Sequence, residues 1–415
     1  MKIEKYSMGI GDRFGREGSA QLTAMLRARE MGISVVPVWN KSHREHQIVG
    51  THPDQVRQEA DTAVNDMNWN DSYYVDADHI GLDTVDEFIK ASDFFTLDVA
   101  DQIGESAGED EIRAFVDQHS NLIGELTLPV LGTRLKITKD ALERAAQTFL
   151  YAVKQAGRIY RHIQEKSRDS FVIEVSMDET ASAQTPAELF LILAAIADEG
   201  IPVQTLAPRF SGRFNKGVDY VGDVQQFKTE FEQDLAVIRL AVVAFDLPDN
   251  LKLSVHSGSD KFAIYTPIRE ALQRFNAGLH LKTAGTTWLE ELIGLAEAGG
   301  DGLKLAIEVY TQAYQRYDEL AKPYAKVIDI HFDKLPSPGQ VSEWDSETFA
   351  TALRHNQQHA NYQPDVRQLL HVAYKIAAEM GDQYLDALQT YKTVISRHVT
   401  ENLLKRHIRA VFPAE

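Results

Sequence analysis

Eight short apolar segments with β-strand character recur along the first 283 residues, and helical segments separate most of them. Segments such as SAQLTAMLRAREMG and TPAELFLILAAIADEG place apolar residues three and four positions apart, the period of a helix with one packed face. Thr185 and Pro186 signal a helix start, and Gly200 signals its end. The strand-like segments are KYSMGIG (5–11), SVVPVW (34–39), YYVDAD (73–78), FFTLDV (94–99), FVIEVS (171–176), PVQTLA (202–207), KLSVHS (252–257) and GLHLKT (278–283). This alternation predicts an α/β fold, a (β/α)8 TIM-type barrel with its site at the C-terminal ends of the strands.

Two regions depart from the alternation. Residues 100–170, between strands four and five, contain two helical patterns around 110–119 and 139–166 and are interpreted as an insertion on the barrel. From about residue 288 the pattern is almost all helical, apart from KVIDIHF and the loop DKLPSPGQ. We therefore expect a barrel catalytic domain over 1–287 and a mainly helical C-terminal extension over 288–415, packed on the barrel. A doubly wound open sheet is the alternative, but no GxGxxG follows the first strand.

Composition excludes several classes of function. The chain has 415 residues and a net charge of −18, which disfavours nucleic acid and anionic membranes as partners. It has no apolar run of about 18 residues and no secretory signal pattern, so a cytoplasmic protein is predicted. A small-molecule substrate and a homo-oligomer are both compatible with these features. Because there are no cysteines, any metal must be held by His, Asp, Glu or water.

Ionisable and other polar side chains collect where the predicted strands end. If the barrel is correct, all of them approach one face, and polar groups gathered at that face predict a functional site. They are Arg13, Lys41, Asp78, His79, Glu174, Glu179, Arg209, Ser257, Asp260, Lys261, His280, Lys282, Thr283 and Thr286.

Histidines follow three of these strands and indicate a metal site. A single strand-end histidine is more often structural, but His79, His256 and His280 lie on three strands of one predicted barrel. Neutral imidazole suits zinc, nickel, manganese or cobalt. Glu174 is a further candidate, either as a ligand or as an acid/base. Asp78 precedes His79 directly, and adjacent residues of a regular strand face opposite sides, so both can serve one site only where the strand ends.

Two lysines in the last strand loops suggest capture of an anion. Lys261 and Lys282 could hold a carboxylate or phosphate, helped by Arg13, Lys41 or Arg209. Backbone N–H groups of the GSD and AGT turns would assist them, which makes Ser257, Asp260, Thr283 and Thr286 further substrate-binding candidates. The alternative for both lysines is ordinary salt bridging.

Several motifs, in order along the chain, resemble the tagaturonate epimerase family. They are GIGDRFG, VWNKSHREHQIVGT, DADHIGLDTVDEFI, EVSMDET, HSGSDKFAIY, LHLKTAGTTWLE and the closing NLLKRHIRAVF. The resemblance extends from residue 6 to the C-terminus, although family members are typically longer. It implies a metal-dependent barrel enzyme of bacterial hexuronate catabolism that interconverts tagaturonate and fructuronate.

The chemistry implied by this resemblance is retro-aldol cleavage and re-addition. The two sugar acids differ at a carbon β to the ketone, whose C–H is not acidic, so direct proton abstraction there forms no enolate. With this chemistry in view, we expect His79, His256 and His280 to hold a divalent metal. Asp78 and Glu174 would be the acid/base pair, with Glu179 in reserve.

Other functions use similar residues on the same fold. A metal-dependent ketose epimerase or isomerase acting on a free or phosphorylated sugar is the closest alternative, followed by an aldolase. A non-catalytic sugar-acid-binding protein is a further one, although it would leave the strand-end carboxylates without a role.

Overall fold

The computed structural model describes residues 1–167, 169–178, 180, 182–257, 259–283 and 285–414. Eight parallel strands close into a barrel in the order β1-β10-β9-β8-β7-β4-β3-β2, and β5 and β6 form a separate antiparallel hairpin. The strands are β1 (Tyr6–Gly9), β2 (Val36–Ser42), β3 (Tyr74–Ile80), β4 (Phe94–Asp98), β5 (Gly124–Thr127), β6 (Arg134–Ile137), β7 (Val172–Ser176), β8 (Thr205–Ala207), β9 (Lys252–His256) and β10 (Leu279–Lys282). The predicted (β/α)8 barrel is confirmed, and each barrel strand overlaps one of the eight predicted segments, although β2 and β3 continue beyond theirs to Ser42 and Ile80.

Helices lie between the barrel strands and make up nearly all of the regular structure after β10. The helices are α1 (Gly18–Glu30), α2 (His43–Val49), α3 (Pro53–Asp66), α4 (Glu109–Gln118), α5 (Lys139–Lys166), α6 (Pro186–Asp198), α7 (Val224–Phe245), α8 (Phe262–Phe275), α9 (Thr286–Ala298), α10 (Gly300–Gln315), α11 (Tyr317–Ala321), α12 (Pro338–Ser342), α13 (Ser346–Leu353), α14 (Pro364–Val372), α15 (Tyr374–Met380), α16 (Asp382–Thr390), α17 (Lys392–Glu401) and α18 (Arg409–Val411). A π-helical segment, Asn402–Ile408, joins α17 to α18. The predicted start of α6 is confirmed, since the Thr185 hydroxyl accepts a hydrogen bond from the N–H of Glu188 in a capping box.

The barrel interior contains polar side chains as well as apolar ones. Ser7, His280 and Ser254 are neighbours in register across β1, β10 and β9, and all three are fully buried. Lys252 begins β9, and its Nζ donates to the Ser7 hydroxyl at 2.9 Å. Polar side chains therefore lie inside the barrel from the middle of its strands to the start of β9.

The insertion between β4 and β7 contains the two predicted helices and a hairpin. Helix α4 packs on the long helix α5, and α5 also packs against α6 of the barrel. The hairpin β5–β6, which the sequence reading did not include, is short, and most of its residues are exposed or half-buried. The insertion is thus attached to the outside of the barrel through α5.

The C-terminal helices pack on α9 and also directly on the barrel, with α17 against α1 and α18 against α8. Helix α9 contacts α10, α13 and α17, and its residue Gly294 lies directly against Ile395 of α17. The predicted boundary at residue 287 falls inside the first turn of α9, so the division into catalytic domain and extension stays an interpretation. Within the described part of the chain, every helix is too short or too polar to cross a lipid bilayer.

Candidate active site

A cavity of about 950 Å³ opens at the C-terminal ends of the barrel strands. Its floor is formed by side chains of β3, β9 and β10 and of the loop after β7, among them Asp78, His79, Asp178, His256 and Lys282. Residues from the helical extension, including Tyr324 and Val327, line the same cavity. The cavity therefore lies between the barrel mouth and the extension.

An irregularity in β3 brings two adjacent residues to one site. The pairing of β3 with β4 shifts register between Ala77 and Ile80, and His79 has a φ of 54°. Both Asp78 and His79 line the cavity as a result, and the His79 Nδ1 lies 2.8 Å from Asp78 Oδ1. The prediction placed these two residues at the end of the strand, whereas β3 continues through both of them to Ile80. A bulge re-aims a side chain that a regular strand would send to the other face.

His79, Asp178 and His256 form a compact group of potential metal ligands. One potential ligand atom from each residue lies within 4.8 Å of those of the other two. Among the described residues, this is the group of three metal-binding side chains that lie so close together. His79 Nε2 lies 3.7 Å from Asp178 Oδ1, and His256 Nδ1 lies 3.1 Å from Asp178 Oδ2. That Nδ1 is buried and has no partner in hydrogen-bond geometry. Two imidazoles and a carboxylate are suitable donors for a divalent transition metal, so these residues fit such an ion.

Neighbouring carboxylates hold both imidazoles in place. Glu174 Oε1 lies 2.8 Å from His256 Nε2, and Asp78 holds the Nδ1 of His79, which leaves one nitrogen of each ring facing Asp178. Burial alone would lower the pKa of His256, but the carboxylates of Asp178 and Glu174 raise it to about 9. Burial would raise the pKa of Asp178, but His256 and His79 hold it well below the usual range. Carboxylates that orient ligand histidines are common at metal sites.

Lys282 lies among three carboxylates beneath this group. Its Nζ is 2.8 Å from Asp76 Oδ2, 2.8 Å from Asp78 Oδ1 and 3.0 Å from Glu174 Oε1. Burial opposes the charge of the amine, but the three carboxylates raise its pKa well above the ordinary value. Burial likewise raises the pKa of Asp76, to about 7, against the effect of Lys282. Lys282 reaches the cavity, but its ammonium is already engaged by these carboxylates.

His280 lies away from the group of His79, Asp178 and His256. It precedes Lys282 by two residues on β10, so it lies one barrel layer nearer the N-terminal ends of the strands. Its Nδ1 is 2.9 Å from the Ser7 hydroxyl, and its ring packs 5.2 Å from that of Phe94. Burial lowers its pKa to about 3, so the ring is neutral. The predicted role of His280 as a third potential ligand is therefore wrong, and Asp178 takes that place beside His79 and His256.

Asp260 and Lys261 are buried behind the cavity and not among its lining residues. The Asp260 carboxylate accepts hydrogen bonds from Arg367 at 2.9 Å, and its two oxygens lie 3.1 Å and 3.0 Å from ring nitrogens of His355 and His407. Lys261 Nζ donates to the carbonyl of Val218 at 2.8 Å. These contacts satisfy buried polar groups that water cannot reach. They also connect the loop after β9 to the C-terminal helices and to the loop after β8.

The remaining predicted substrate-binding residues divide into two sets. Arg13, Arg209 and Ser257 line the cavity, with the Arg209 guanidinium donating to the carbonyl of Asp178 at 3.3 Å. The other three residues are buried. Lys41 donates to the carbonyl of Arg13, and Thr283 donates to that of Gly9. Thr286 donates to the Asp260 carboxylate. Glu179 lies outside the described residues.

The sequence profile of the tagaturonate epimerase family matches residues 1–411 of the chain. The chain belongs to this family. A curated member, the tagaturonate/fructuronate epimerase of Thermotoga maritima, is 26% identical over 417 residues, covering 97% of this chain and 80% of that protein. As a member of the tagaturonate epimerase family, the chain is an isomerase of the epimerase type.

Solved structures agree in fold. The glycerol-bound fructuronate-tagaturonate epimerase of Cohnella laeviribosi superimposes with a TM-score of 0.78 at 23% identity, covering 97% of this chain and 81% of that one. A probable tagatose 6 phosphate kinase of Sinorhizobium meliloti is more distant, with a TM-score of 0.51 at 13% identity and coverage of 98% and 100%. At these identities, both similarities concern the fold.

Two contributions to the cavity of this epimerase family member were missed in the sequence. Asp178 follows β7 by two residues, and nothing in the spacing of the sequence separated it from its neighbour Glu179. Tyr324 belongs to the helical extension, far from the strand ends of the barrel. Lys216 belongs to the long loop after β8. A search of strand ends alone does not find residues that a separate helical region brings over the mouth.

Proposed function

We propose that this chain interconverts tagaturonate and fructuronate by retro-aldol cleavage and aldol re-addition. Family membership and the activity named for its Thermotoga maritima relative support the substrate pair. The observation that carries the mechanism is the position of the Asp78 carboxylate, which lies beside Lys282 and adjoins the group of His79, Asp178 and His256.

A retro-aldol route accounts for inversion at a carbon whose C–H is not acidic. A base removes the proton from the β-hydroxyl, the bond between the α and β carbons breaks, and the electron pair forms an enediolate on the keto fragment. The β carbon becomes an aldehyde and turns its other face to the enediolate. The C–C bond forms again on that face, and the resulting alkoxide takes back the proton from the protonated base. Both fragments have to stay in the cavity, which a covered barrel mouth favours.

The residues of the chain have separate roles in this route. His79, Asp178 and His256 would hold a divalent cation, which as a Lewis acid would stabilise negative charge on the substrate oxygens. Burial raises the pKa of Asp78, but Lys282 and His79 hold it well below its usual range. Asp78 is therefore ionised at neutral pH and able to accept the hydroxyl proton. Glu174, predicted as its acid/base partner, is fully buried and bonds His256, so we propose that it orients this imidazole.

The isotope content of the product tests the mechanism. When tagaturonate is converted in deuterium oxide, we expect no deuterium at the inverted carbon, because that carbon keeps its hydrogen while it is an aldehyde. Stoichiometric deuterium there would overturn the retro-aldol route. Inversion at the carbon next to the ketone would instead support an α-carbon epimerase, and accumulation of free fragments would support an aldolase.

A further inference from the structure

The cations that line the cavity differ in what they already bind. Lys282 is held by three carboxylates at the floor, and Arg13 lies 3.2 Å from Glu45. Among the described residues, four cations of the lining have no carboxylate partner within ion-pair distance: Arg44, Arg209, Lys216 and Lys326. The Arg209 guanidinium already donates to the carbonyls of Asp178 and Gly212. Arg44 and Lys216 differ from Lys326 because each lies against the aromatic ring of Tyr324. These two side chains are therefore available to an anion that enters the cavity.

Arg44 and Lys216 approach the same ring from opposite sides of the barrel. Arg44 follows β2 and Lys216 follows β8, and these strands lie across the closed barrel from each other. The Arg44 guanidinium carbon is 5.9 Å, and the Lys216 Nζ 5.7 Å, from the ring centroid of Tyr324. Both distances are within the range of cation–π attraction. The ring thus gathers two positive charges above the cavity.

The position of Tyr324 is fixed by contacts within the extension and with the barrel. Its hydroxyl is 2.9 Å from that of Tyr374, and the Lys216 N–H donates to the carbonyl of Val327 at 2.7 Å. Gln368 of α14 both accepts from the N–H of Asp329 and donates to its carbonyl. The segment that carries Tyr324 is therefore connected to the loop after β8 and to the helices behind it.

We propose that Arg44 and Lys216, which both lie against the ring of Tyr324, bind the carboxylate of the substrate and make the enzyme selective for sugar acids. This inference rests on the proposed function. A substrate carboxylate at the floor would face the carboxylates of Asp78 and Asp178 and would compete with the keto and hydroxyl oxygens for the proposed cation, whereas at Tyr324 it meets two cations without carboxylate partners. The sugar acid consequently lies with its carboxylate towards the extension and its keto and hydroxyl carbons towards His79 and His256.

Binding of inert ligands tests this site without turnover. D-Galactonate and galactitol have the same six-carbon polyol chain, but galactonate carries a carboxylate and neither has a ketone to react. Calorimetry would give the ratio of their dissociation constants for the wild type and for Lys216→Met and Arg44→Met. We expect the wild type to prefer galactonate, and each variant to lose about 10- to 100-fold of that preference with galactitol binding unchanged. Thermal melting would confirm that both variants fold.

Lys326→Met is the matched control, because Lys326 is an exposed lysine that lines the same cavity. We expect this variant to keep most of the preference for galactonate. An equal loss in Lys326→Met and Lys216→Met would overturn the proposal in favour of a general field at the cavity rim. Full selectivity in both Lys216→Met and Arg44→Met would overturn it as well. If the wild type binds galactonate through Lys216 but leaves tagaturonate unconverted, the proposed function fails while the anion site stands.

Discussion

Lys282 is the residue on which the charge balance of the cavity floor depends. One ammonium lies within 3.0 Å of oxygens of Asp76, Asp78 and Glu174, all of which are buried. Sequence reading assigned Lys282 to substrate binding, because a lysine at a strand end points towards the site. Its position instead lets it keep Asp78 and Glu174 ionised, with pKa values well below their usual range despite burial.

Replacing Lys282 with methionine should destabilise the fold in a pH-dependent way. With the ammonium gone, burial would raise the pKa values of the three carboxylates above those of the unfolded chain, so stability falls as pH rises through that interval. We expect a loss of about 3–5 kcal/mol near pH 8 and a smaller loss at pH 5. Urea unfolding of metal-free protein at both pH values would measure it. Lys304→Met, which removes an exposed lysine that bonds Asp301, should change stability little at either pH.

Asp78→Asn should slow turnover by a factor of about 100 or more, because an amide cannot accept the hydroxyl proton. Asp76→Asn is a matched control, since Asp76 also bonds Lys282 but is absent from the cavity lining. Its raised pKa, about 7, means that the neutral amide resembles a form it already populates. Rates of both variants should be compared at equal metal content, because Asp78 also orients His79. Equal slowing in the two would remove Asp78 as the base.

Four residues of the cavity floor were predicted from the sequence, but Asp178 was not, and the depth of several predicted residues was wrong. His79, His256, Asp78 and Lys282 reach the cavity as strand-end residues should. His280 and Lys261 also lie at or near strand ends, yet one points into the barrel layer below and the other into the protein behind the loop. The depth of a strand side chain depends on the register of the strands, and the direction of His79 depends on the bulge in β3. Neither can be predicted from residue types.

At the scale of elements, α9 and α17 approach closely at one glycine. A Cβ added at Gly294 would lie 2.7 Å from Ile395 Cγ1 and 2.8 Å from Ile395 Cα. The backbone atom cannot move aside without shifting α17. Close packing of this kind depends on the absence of a side chain, which a single sequence does not distinguish from an ordinary helix glycine.

Gly294→Ala should lower the free energy of unfolding by about 1–3 kcal/mol through this overpacking. Gly339→Ala in α12 is the matched comparison, because its added Cβ would meet only the Ser337 hydroxyl, at 4.0 Å. We expect that variant to be neutral or stabilised by up to about 1 kcal/mol, since alanine restricts the unfolded chain. Denaturant midpoints of both variants would decide. Equal stability of Gly294→Ala and the wild type would mean that α9 and α17 lie further apart.

Elements with a strong period were predictable, and weakly patterned ones were not. The eight barrel strands are almost entirely buried, and α4 and α5 have clear helical periods, so the alternation of strands and helices was visible. The hairpin β5–β6 has four residues per strand and little buried surface. With so few apolar positions, alternation in such strands cannot be separated from loop sequence.

For the whole molecule, the proposed metal site at His79, Asp178 and His256 should link cation binding to stability. A divalent cation that binds only the folded chain stabilises it by about 2.7 kcal/mol at a hundred times its dissociation constant. Zinc or manganese added to chelator-treated protein should therefore raise Tm, and His256→Ala should remove most of that rise. His280→Ala should keep it, because His280 lies outside the group of His79, Asp178 and His256. Loss of the rise in His280→Ala alone would return that residue to the metal site.

The partners of Asp260 have a consequence for the order in which the chain can fold during synthesis on the ribosome. All eight barrel strands have been made once Lys282 is added, but the Asp260 carboxylate bonds Arg367, His355 and His407, which emerge much later. Until then the loop after β9 would have to bury an unpaired negative charge, which is costly. We therefore expect the nascent barrel to remain loose at this loop until the last helices leave the ribosome and dock on it. Nascent chains that stop before Arg367 should be cleaved by protease near Asp260, whereas full-length chains should resist.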